Sequence, residues 1–170
     1  MKAFILAAGE GTRLRPLTDS VPKCLLPIQG VPLLEIWLKN CEAAGIGEVL
    51  VNAHAHPDAI REFVAKRKTG VKVRIAEEPQ LLGSAGTLAE NREFVAGEQA
   101  FFVLYGDVLT NLNLRPMLAF HEEKRVPATL IFVPSRDGLS HNAREFTEPA
   151  ALDKGLAVLT ETLWRMVTAP

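Results

Sequence analysis

Cysteine, long apolar runs and net charge are all scarce in this sequence. Its 170 residues include 2 cysteines, Cys24 and Cys41, and no Cys-x-x-Cys pair, which favours free thiols over a disulfide framework or a zinc site. Its 19 basic and 20 acidic residues leave a formal net charge of −1, so no basic surface for nucleic acid or anionic lipid is predicted. The first apolar run, residues 3–8, is too short for a signal peptide or a membrane span. We therefore expect a cytoplasmic protein with no nucleic-acid or membrane partner.

Short apolar segments alternate with helical patterns along the chain. We predict strands over residues 3–8, 49–51, 71–76, 100–104 and 128–133, and helices over residues 32–44, 57–69, 84–95 and 115–124. Such alternation is typical of an α/β fold, here a Rossmann-like doubly wound, parallel-dominated sheet with helices on both faces. A chain of this length buries a core without disulfides or metal, so we assign residues 1–170 to a single domain. Ligands of such sheets bind beyond the carboxyl ends of the strands.

The loop after the first predicted strand has the composition of an anion-binding site. Gly9 and Gly11 let backbone amides approach an anion closely and permit a positive φ. Thr12 adds a hydroxyl donor, and Arg13 adds a forked cation that suits phosphate oxygens. Lys23 supplies a compact second charge further along the chain. Together these groups can hold a polyphosphate on a protein that has no excess of basic residues.

This loop differs from two common phosphate-binding motifs. No Gly-Lys-Ser/Thr follows, which excludes a Walker A loop, and Leu14 stands where a dinucleotide fingerprint needs its third glycine. Instead, residues 9–23 match Gly-x-Gly-Thr-Arg-x-x-Pro-x-Thr, followed by Pro-Lys, at every defining position. With this motif the sequence resembles the sugar-nucleotide pyrophosphorylases, nucleotidyltransferases that join a nucleoside triphosphate to a sugar 1-phosphate and release pyrophosphate. The resemblance continues through residues 30–34, 77–87 and 105–107 and covers residues 1–133 well.

The resemblance implies a fold of the nucleotide-diphospho-sugar transferase type, Mg²⁺ as cofactor, and a role for each matching residue. It implies that the first-loop amides and Arg13 hold the β- and γ-phosphates, Lys23 neutralises charge at the α-phosphate, and Asp107 binds Mg²⁺. These three side chains, Arg13, Lys23 and Asp107, form the expected catalytic set. The implied nucleotide-binding positions are Leu6, Ala8, Gly9, Gly11, Thr12, Arg13, Lys23, Glu78 and Gly83.

Two acidic residues also carry arguments of their own. Asp107 follows an apolar strand and Gly106, where a doubly wound sheet presents its ligand and a hard oxygen donor suits Mg²⁺; the alternative is a strand-end or helix-cap aspartate. Glu78 stands in the base-reading segment, where relatives that use uracil or thymine tend to have Gln. A carboxylate only accepts hydrogen bonds and so favours guanine, whose N1–H and N2–H₂ are donors. The alternative is that Glu78 is solvated and that Gln80 or the backbone reads the base.

Residues 134–170 match the family poorly and form the expected acceptor region in shortened form. The second metal-binding aspartate of the family has no clear counterpart, and no spacing supports Asp153 in that role. Two hypotheses follow. In one, the chain is an active nucleotidyltransferase whose acceptor half is compact, or is completed by a second subunit in a homo-oligomer. In the other, it is a nucleotide-binding module or a catalytically weak relative that keeps only the donor site.

Two further candidates fit simpler roles. Cys24 follows Lys23 directly, but no suitably patterned His or Asp lies nearby in the sequence, so we expect a small apolar core residue rather than a nucleophile. His54 and His56 flank one residue at a strand end beside Pro57, where we expect an incidental pair rather than a metal site.

Overall fold

The computed structural model describes residues 1–67 and 70–131. The chain divides into two compact units, Met1–Leu112 and Asn113–Pro170. The assignment of residues 1–170 to one domain stays a prediction. The expected boundary between the donor part, residues 1–133, and the acceptor region, residues 134–170, lies outside the described residues. Asp153 lies outside them as well. Among the described residues, no helix is both long and apolar enough to cross a membrane; the cytoplasmic location stays a prediction.

The first unit contains six strands and three α-helices among its described residues. In chain order they are β1 (Lys2–Leu6), β2 (Pro27–Ile28), β3 (Val31–Pro32), α1 (Leu33–Ala43), β4 (Glu48–Ala53), α2 (Pro57–Lys66), β5 (Lys72–Glu77), α3 (Gly83–Glu90) and β6 (Phe101–Tyr105). Short 3₁₀ turns lie at Thr12–Leu14, Lys23–Leu25 and Arg92–Val95. The described part of the second unit contains one helix, α4 (Leu114–Lys124).

The large sheet has the strand order β5-β4-β1-β6, and every pairing in it is parallel. From β1 the chain runs outward on one side to β4 and β5, and then returns to place β6 on the other side of β1. The strand order therefore reverses between β1 and β6, which is where open parallel sheets bind their ligands. The parallel-dominated α/β sheet predicted from the sequence is confirmed.

Burial explains why the central strands formed as predicted. Ala3, Phe4 and Ile5 of β1 have no exposed surface, and β4 is buried from Val49 to Ala53. Parallel strands covered on both faces are expected to be continuously apolar. Helix α1 buries one stripe of side chains at helical spacing, namely Leu33, Leu34, Trp37, Leu38 and Cys41. The buried strands β1 and β4, with α1 packed in the core, support the loops at the carboxyl ends of the strands.

Strand β6 differs from the expectation of a fully buried strand. Phe102 and Leu104 are buried, whereas Phe101, Val103 and Tyr105 are exposed. The alternation shows that only one face of β6 is covered among the described residues; β6 is also the edge strand of the described sheet. Its position beside β1 nevertheless brings the turn that follows β6 to the end of β1.

Three other predicted elements also need correction. The helix expected over residues 84–95 is split into α3 and a 3₁₀ turn at Asn91, whose side-chain amide donates to the Thr87 carbonyl (2.9 Å). The loop expected to run to Val31 contains two 3₁₀ turns and the antiparallel β2–β3 pair. Residues 128–131 form no strand, because none of the described strands pairs with them; the rest of that prediction lies outside the described residues.

Candidate functional site

A cavity of about 240 Å³ lies at the carboxyl ends of β1 and β6, where the strand order reverses. Seven of the predicted site residues line it: Leu6, Ala8, Gly9, Lys23, Glu78, Gly83 and Asp107. The other lining residues are Ala7, Cys24, Asn52, Leu81, Ser84, Tyr105 and Gly106. Gly11, Thr12 and Arg13 lie beyond this lining, on the loop that continues from Gly9. The structure therefore brings together three loops that the sequence resemblance had connected.

Lys23, predicted to neutralise charge at the α-phosphate, contacts Asp107, predicted to bind Mg²⁺. Lys23 Nζ lies 2.7 Å from Asp107 Oδ2, although the residues stand 84 positions apart in the sequence. Their side chains are 32% and 43% exposed, respectively, so both remain accessible from the cavity. Placed together, an ammonium and a carboxylate provide opposite charges for an anionic ligand and its counter-ion.

Close packing against β1 positions the turn that carries Asp107. The Gly106 amide donates to the Leu6 carbonyl (2.9 Å). A Cβ on Gly106 would lie 3.0 Å from Ile5 Cγ2 and 3.1 Å from the Leu6 carbonyl oxygen, so a glycine permits this approach. On the other side, the indole Nε1–H of Trp37 donates to the Val108 carbonyl (2.9 Å). Trp37 is buried, as expected of a core residue, and it also fixes the turn that carries Asp107.

The phosphate loop, residues 9–15, begins with four residues whose backbone amides lack an acceptor among the described residues. Within the described residues, no acceptor contacts the amides of residues 9–12. Gly11 adopts φ +68°, and the Thr18 hydroxyl donates to its carbonyl (2.8 Å). A Cβ on Gly11 would lie 2.8 Å from Thr18 Cγ2, so a larger residue does not fit this turn. Arg13 is exposed on the 3₁₀ turn that follows. Such an arrangement suits a polyanion, because it places backbone amides without an acceptor among the described residues next to an exposed cation.

A buried amide that the sequence reasoning missed connects two sides of the cavity. Asn52, near the end of β4, is 5% exposed. Its Oδ1 accepts hydrogen bonds from the amides of Ala7 (2.6 Å) and Ala8 (3.2 Å). Its Nδ2 donates to Glu78 Oε1 (2.9 Å) and to Thr87 Oγ1 (3.0 Å). One signal in the sequence could have found it, since Asn52 is the single polar residue in the apolar run from Val49 to Ala53.

Glu78 is buried, which contradicts the alternative that it is solvated. Only 5% of the residue is exposed. Oε1 accepts from Asn52 and from the Thr87 hydroxyl, and Oε2 accepts from the Leu82 amide (3.2 Å). A carboxylate has about four lone-pair sites, so these donors leave one site for a ligand. Gln80, by contrast, is exposed and lies outside the cavity lining.

Cys24 is buried, as expected of a core residue, whereas the expectation that His54 and His56 do not form a metal site stays a prediction. Burial raises the pKa of the Cys24 thiol to about 12, so at neutral pH the group is a neutral thiol rather than a nucleophilic thiolate. Both cysteines are free. His54 Nδ1 lies 2.7 Å from the Glu78 carbonyl oxygen and helps to hold the backbone of the base segment. Among the described residues, no three His, Cys, Asp or Glu side chains form a group that could hold a metal ion.

The carboxylate of Asp107 matches the ligands that proteins usually provide for Mg²⁺. Asp107 offers one accessible carboxylate at the cavity, and its neighbour Lys23 is a cation rather than a ligand. Mg²⁺ is usually bound by one or two carboxylates together with substrate phosphates and water, not by an all-protein cage. A single carboxylate beside a polyanion site therefore fits this ion, provided that a phosphate ligand supplies further oxygens.

Comparisons with known proteins agree with this geometry. The family model described as "Nucleotidyl transferase" matches residues 2–142. The chain is 35% identical over 147 residues to mannose-1-phosphate guanylyltransferase 1 of Arabidopsis thaliana, covering 82% of this chain and 41% of the relative. It is 36% identical over 142 residues to UTP--glucose-1-phosphate uridylyltransferase of Synechocystis, covering 77% and 37%. The chain thus spans about two fifths of the length of these relatives.

A solved structure gives the same result for the fold. It is that of a Bacillus anthracis protein assigned as a glucose-1-phosphate thymidylyltransferase, in complex with sucrose. The two chains superpose with a TM-score of 0.67 at 25% identity, over 74% of this chain and 51% of that one. The similarity extends over most of this chain and about half of the other.

Proposed function

Since this chain belongs to the nucleotidyl transferase family, we propose that it transfers a nucleoside monophosphate from a nucleoside triphosphate to a sugar 1-phosphate, with release of pyrophosphate. The observation that carries the proposal is the Lys23–Asp107 pair, 2.7 Å apart, beside the amides of residues 9–12, which no acceptor among the described residues contacts, at the point where the strand order reverses. Relatives named as guanylyl- and uridylyltransferases of sugar 1-phosphates support the same reaction class.

The residues divide the work of an in-line displacement. The loop amides of residues 9–12 and the Arg13 guanidinium bind the β- and γ-phosphates, which become the pyrophosphate leaving group. A sugar 1-phosphate oxygen attacks the α-phosphorus, the bond to the leaving oxygen breaks, and Lys23 stabilises the charge at the α-phosphate. No covalent intermediate with the protein is required. Most of the acceleration comes from holding two anionic substrates together and screening their repulsion.

Asp107 is the residue that we propose to hold Mg²⁺. When bound, the ion would supply positive charge to the phosphates. The ammonium of Lys23 holds the Asp107 carboxylate at the cavity edge, where the carboxylate would be available as a ligand to the ion. The second metal ligand of the family has no counterpart among the described residues.

The nucleotide that we propose is GTP, on the strength of Glu78. Its carboxylate lines the cavity, and three protein donors fill all but one of its acceptor sites. The remaining site can accept from the N1–H or N2–H₂ of guanine. A mannose-1-phosphate guanylyltransferase among the relatives supports this preference, whereas the uridylyltransferase relative marks the competing base. Glu78→Gln would place a donor in the segment, and we expect the preference to shift from GTP towards UTP.

One experiment tests the reaction and the nucleotide together. Pyrophosphate release is measured for four nucleoside triphosphates against mannose 1-phosphate and glucose 1-phosphate, with and without Mg²⁺. The variant Glu93→Gln serves as the matched control for Glu78→Gln, since Glu93 is exposed and outside the cavity. We expect turnover that needs Mg²⁺ and is fastest with GTP. An unaltered nucleotide profile in Glu78→Gln removes the base-reading role.

Nucleotide binding without transfer is the second candidate function. The observation that favours it is that the predicted acceptor region, residues 134–170, matches the family poorly in sequence and offers no clear counterpart to the family's second metal-binding aspartate. Calorimetric binding of GTP without turnover on any sugar 1-phosphate would decide for this candidate and against the transferase.

A further inference from the structure

We propose that Asn52 is a positioning residue that fixes the phosphate loop and the base segment, residues 78–83, relative to each other. This inference rests on the proposed function to the extent that a nucleoside triphosphate occupies the cavity. Neither the family motif nor the charge pattern of the sequence points to this residue. The observation that carries it is a single side chain joined by hydrogen bonds to both walls of the donor cavity.

The orientation of the Asn52 amide is fixed by the chemistry of its partners. The backbone amides of Ala7 and Ala8 can only donate, so they must face the carbonyl oxygen of the side chain. The Glu78 carboxylate accepts and therefore faces the NH₂ group. Asn52 is 5% exposed and stands on β4, which pairs with a strand on either side. It is thus a buried link that joins the two loops through one side chain.

The two ends of the Asn52 amide contact the segments expected to bind the triphosphate and the base of the nucleotide, respectively. Ala7 and Ala8 begin the loop whose next amides, at residues 9–12, have no acceptor in the part of the chain that the structure describes. Glu78, in turn, holds the Leu82 amide at the start of α3, beside the part of the cavity formed by Leu81 and Gly83. A change at Asn52 is therefore expected to alter the distance between the phosphate loop and the base segment while leaving the amides of residues 9–12 and the Glu78 carboxylate in place.

The pairing of an amide with a carboxylate allows an exchange test. Asn52→Asp keeps an acceptor for the Ala7 and Ala8 amides, but it places a carboxylate against that of Glu78 without a donor between them. Adding Glu78→Gln restores one amide and one carboxylate in exchanged positions, so that residue 78 now donates to residue 52. Asn91→Ala is the matched control, because it removes one asparagine hydrogen bond, to the Thr87 carbonyl, outside the cavity lining.

Binding is measured by calorimetry with GTP and with inorganic tripolyphosphate, which has no base. Thermal unfolding and steady-state kinetics are recorded on the same full-length proteins. We expect Asn52→Asp to weaken binding of both ligands about tenfold and to lower kcat up to about 100-fold, the scale of a misplacement near 1 Å. The exchange variant Asn52→Asp/Glu78→Gln should recover tripolyphosphate binding to within about threefold of wild type, because each partner again meets its complement. Asn91→Ala should bind like wild type.

The tripolyphosphate result separates positioning from base reading. If Glu78 served only to read a base, tripolyphosphate affinity would not change in any of these variants, and the inference would be overturned. It is also overturned if folded Asn52→Asp binds both ligands like wild type, or if the folded exchange variant recovers nothing. Should Asn52→Asp fail to fold, the exchange variant decides alone: a folded protein with restored affinity supports the link. A wild-type protein that binds both ligands but releases no pyrophosphate refutes the transferase and leaves the binding comparison to decide on Asn52.

Discussion

Breaking the Lys23–Asp107 pair should reduce turnover far more than it reduces stability. The two side chains are 32% and 43% exposed, so water screens their attraction, and such pairs contribute about 0–1 kcal/mol to folding. In the proposed reaction, however, Lys23 acts at the α-phosphate and Asp107 holds Mg²⁺, and the loss of one such preorganised group costs about 10²–10³-fold in kcat. Lys23→Met and Asp107→Asn test this asymmetry, because each replaces the charge with a side chain of similar size.

The assay compares two measurements on the same protein samples. Urea unfolding gives the free energy of unfolding, and pyrophosphate release with Mg²⁺ gives kcat. Asp58→Asn is the matched control, because Asp58 is 90% exposed and pairs with Arg61 on α2, outside the cavity. A loss of more than about 2 kcal/mol in stability would refute the screening argument. Wild-type turnover in Asp107→Asn would refute the proposed metal role of that carboxylate.

Three further predictions concern backbone packing and thiol burial. Gly11→Ala should lower the free energy of unfolding by about 1–2 kcal/mol in urea titrations. Residue 11 has a left-handed backbone conformation, and the new Cβ would lie 2.8 Å from Thr18 Cγ2. An unchanged urea midpoint of unfolding would contradict this packing. Gly106→Ala should lower the free energy of unfolding by about 1–3 kcal/mol, because the added methyl group overpacks the contact with β1. It should also lower kcat. Activity equal to that of wild type would show that the Asp107 turn tolerates a shift. Burial raises the pKa values of Cys24 and Cys41 from 9.0 to about 12. The unfolded thiols therefore ionise first, and stability should fall as pH rises from about 9 to about 12, by up to ~4 kcal/mol per thiol. A Cys24→Ala variant should lose less over that range.

The sheet was predictable because its central strands are buried on both faces. The runs around Phe4 and Val51 are apolar without interruption, and only a buried parallel strand needs that pattern. Strand β6 has a similarly apolar sequence but lies at the edge of the described sheet, and the sequence does not encode how many neighbours a strand has. The apolar run at residues 128–131 failed as a strand for a related reason, since strand formation needs a pairing partner as well as propensity.

The residues of the candidate site that belong to sequence motifs were predictable. Those whose roles depend on contacts between distant parts of the chain were not. Gly9, Gly11 and Lys23 belong to one continuous sequence motif, and the resemblance to a family connected this motif with Asp107. Asn52 has no such signal beyond its polarity, because its partners stand 45 and 26 positions away. The burial of Glu78 likewise depends on Asn52 and Thr87. Its residue type indicated an acceptor, but only the structure shows that most of its acceptor sites are already used.

The hydrogen bond from Trp37 to the Val108 carbonyl gives the protein a built-in optical probe. The indole lies one residue away from Asp107 along this contact, and the sequence contains 2 tryptophans, Trp37 and Trp164. In a Trp164→Phe variant, all tryptophan emission therefore comes from a side chain attached to the Asp107 turn. Any ligand that draws Asp107 away from Lys23 changes the polarity and hydrogen bonding around that indole. The arrival of nucleotide and metal can thus be followed in real time, without labels and before any product forms.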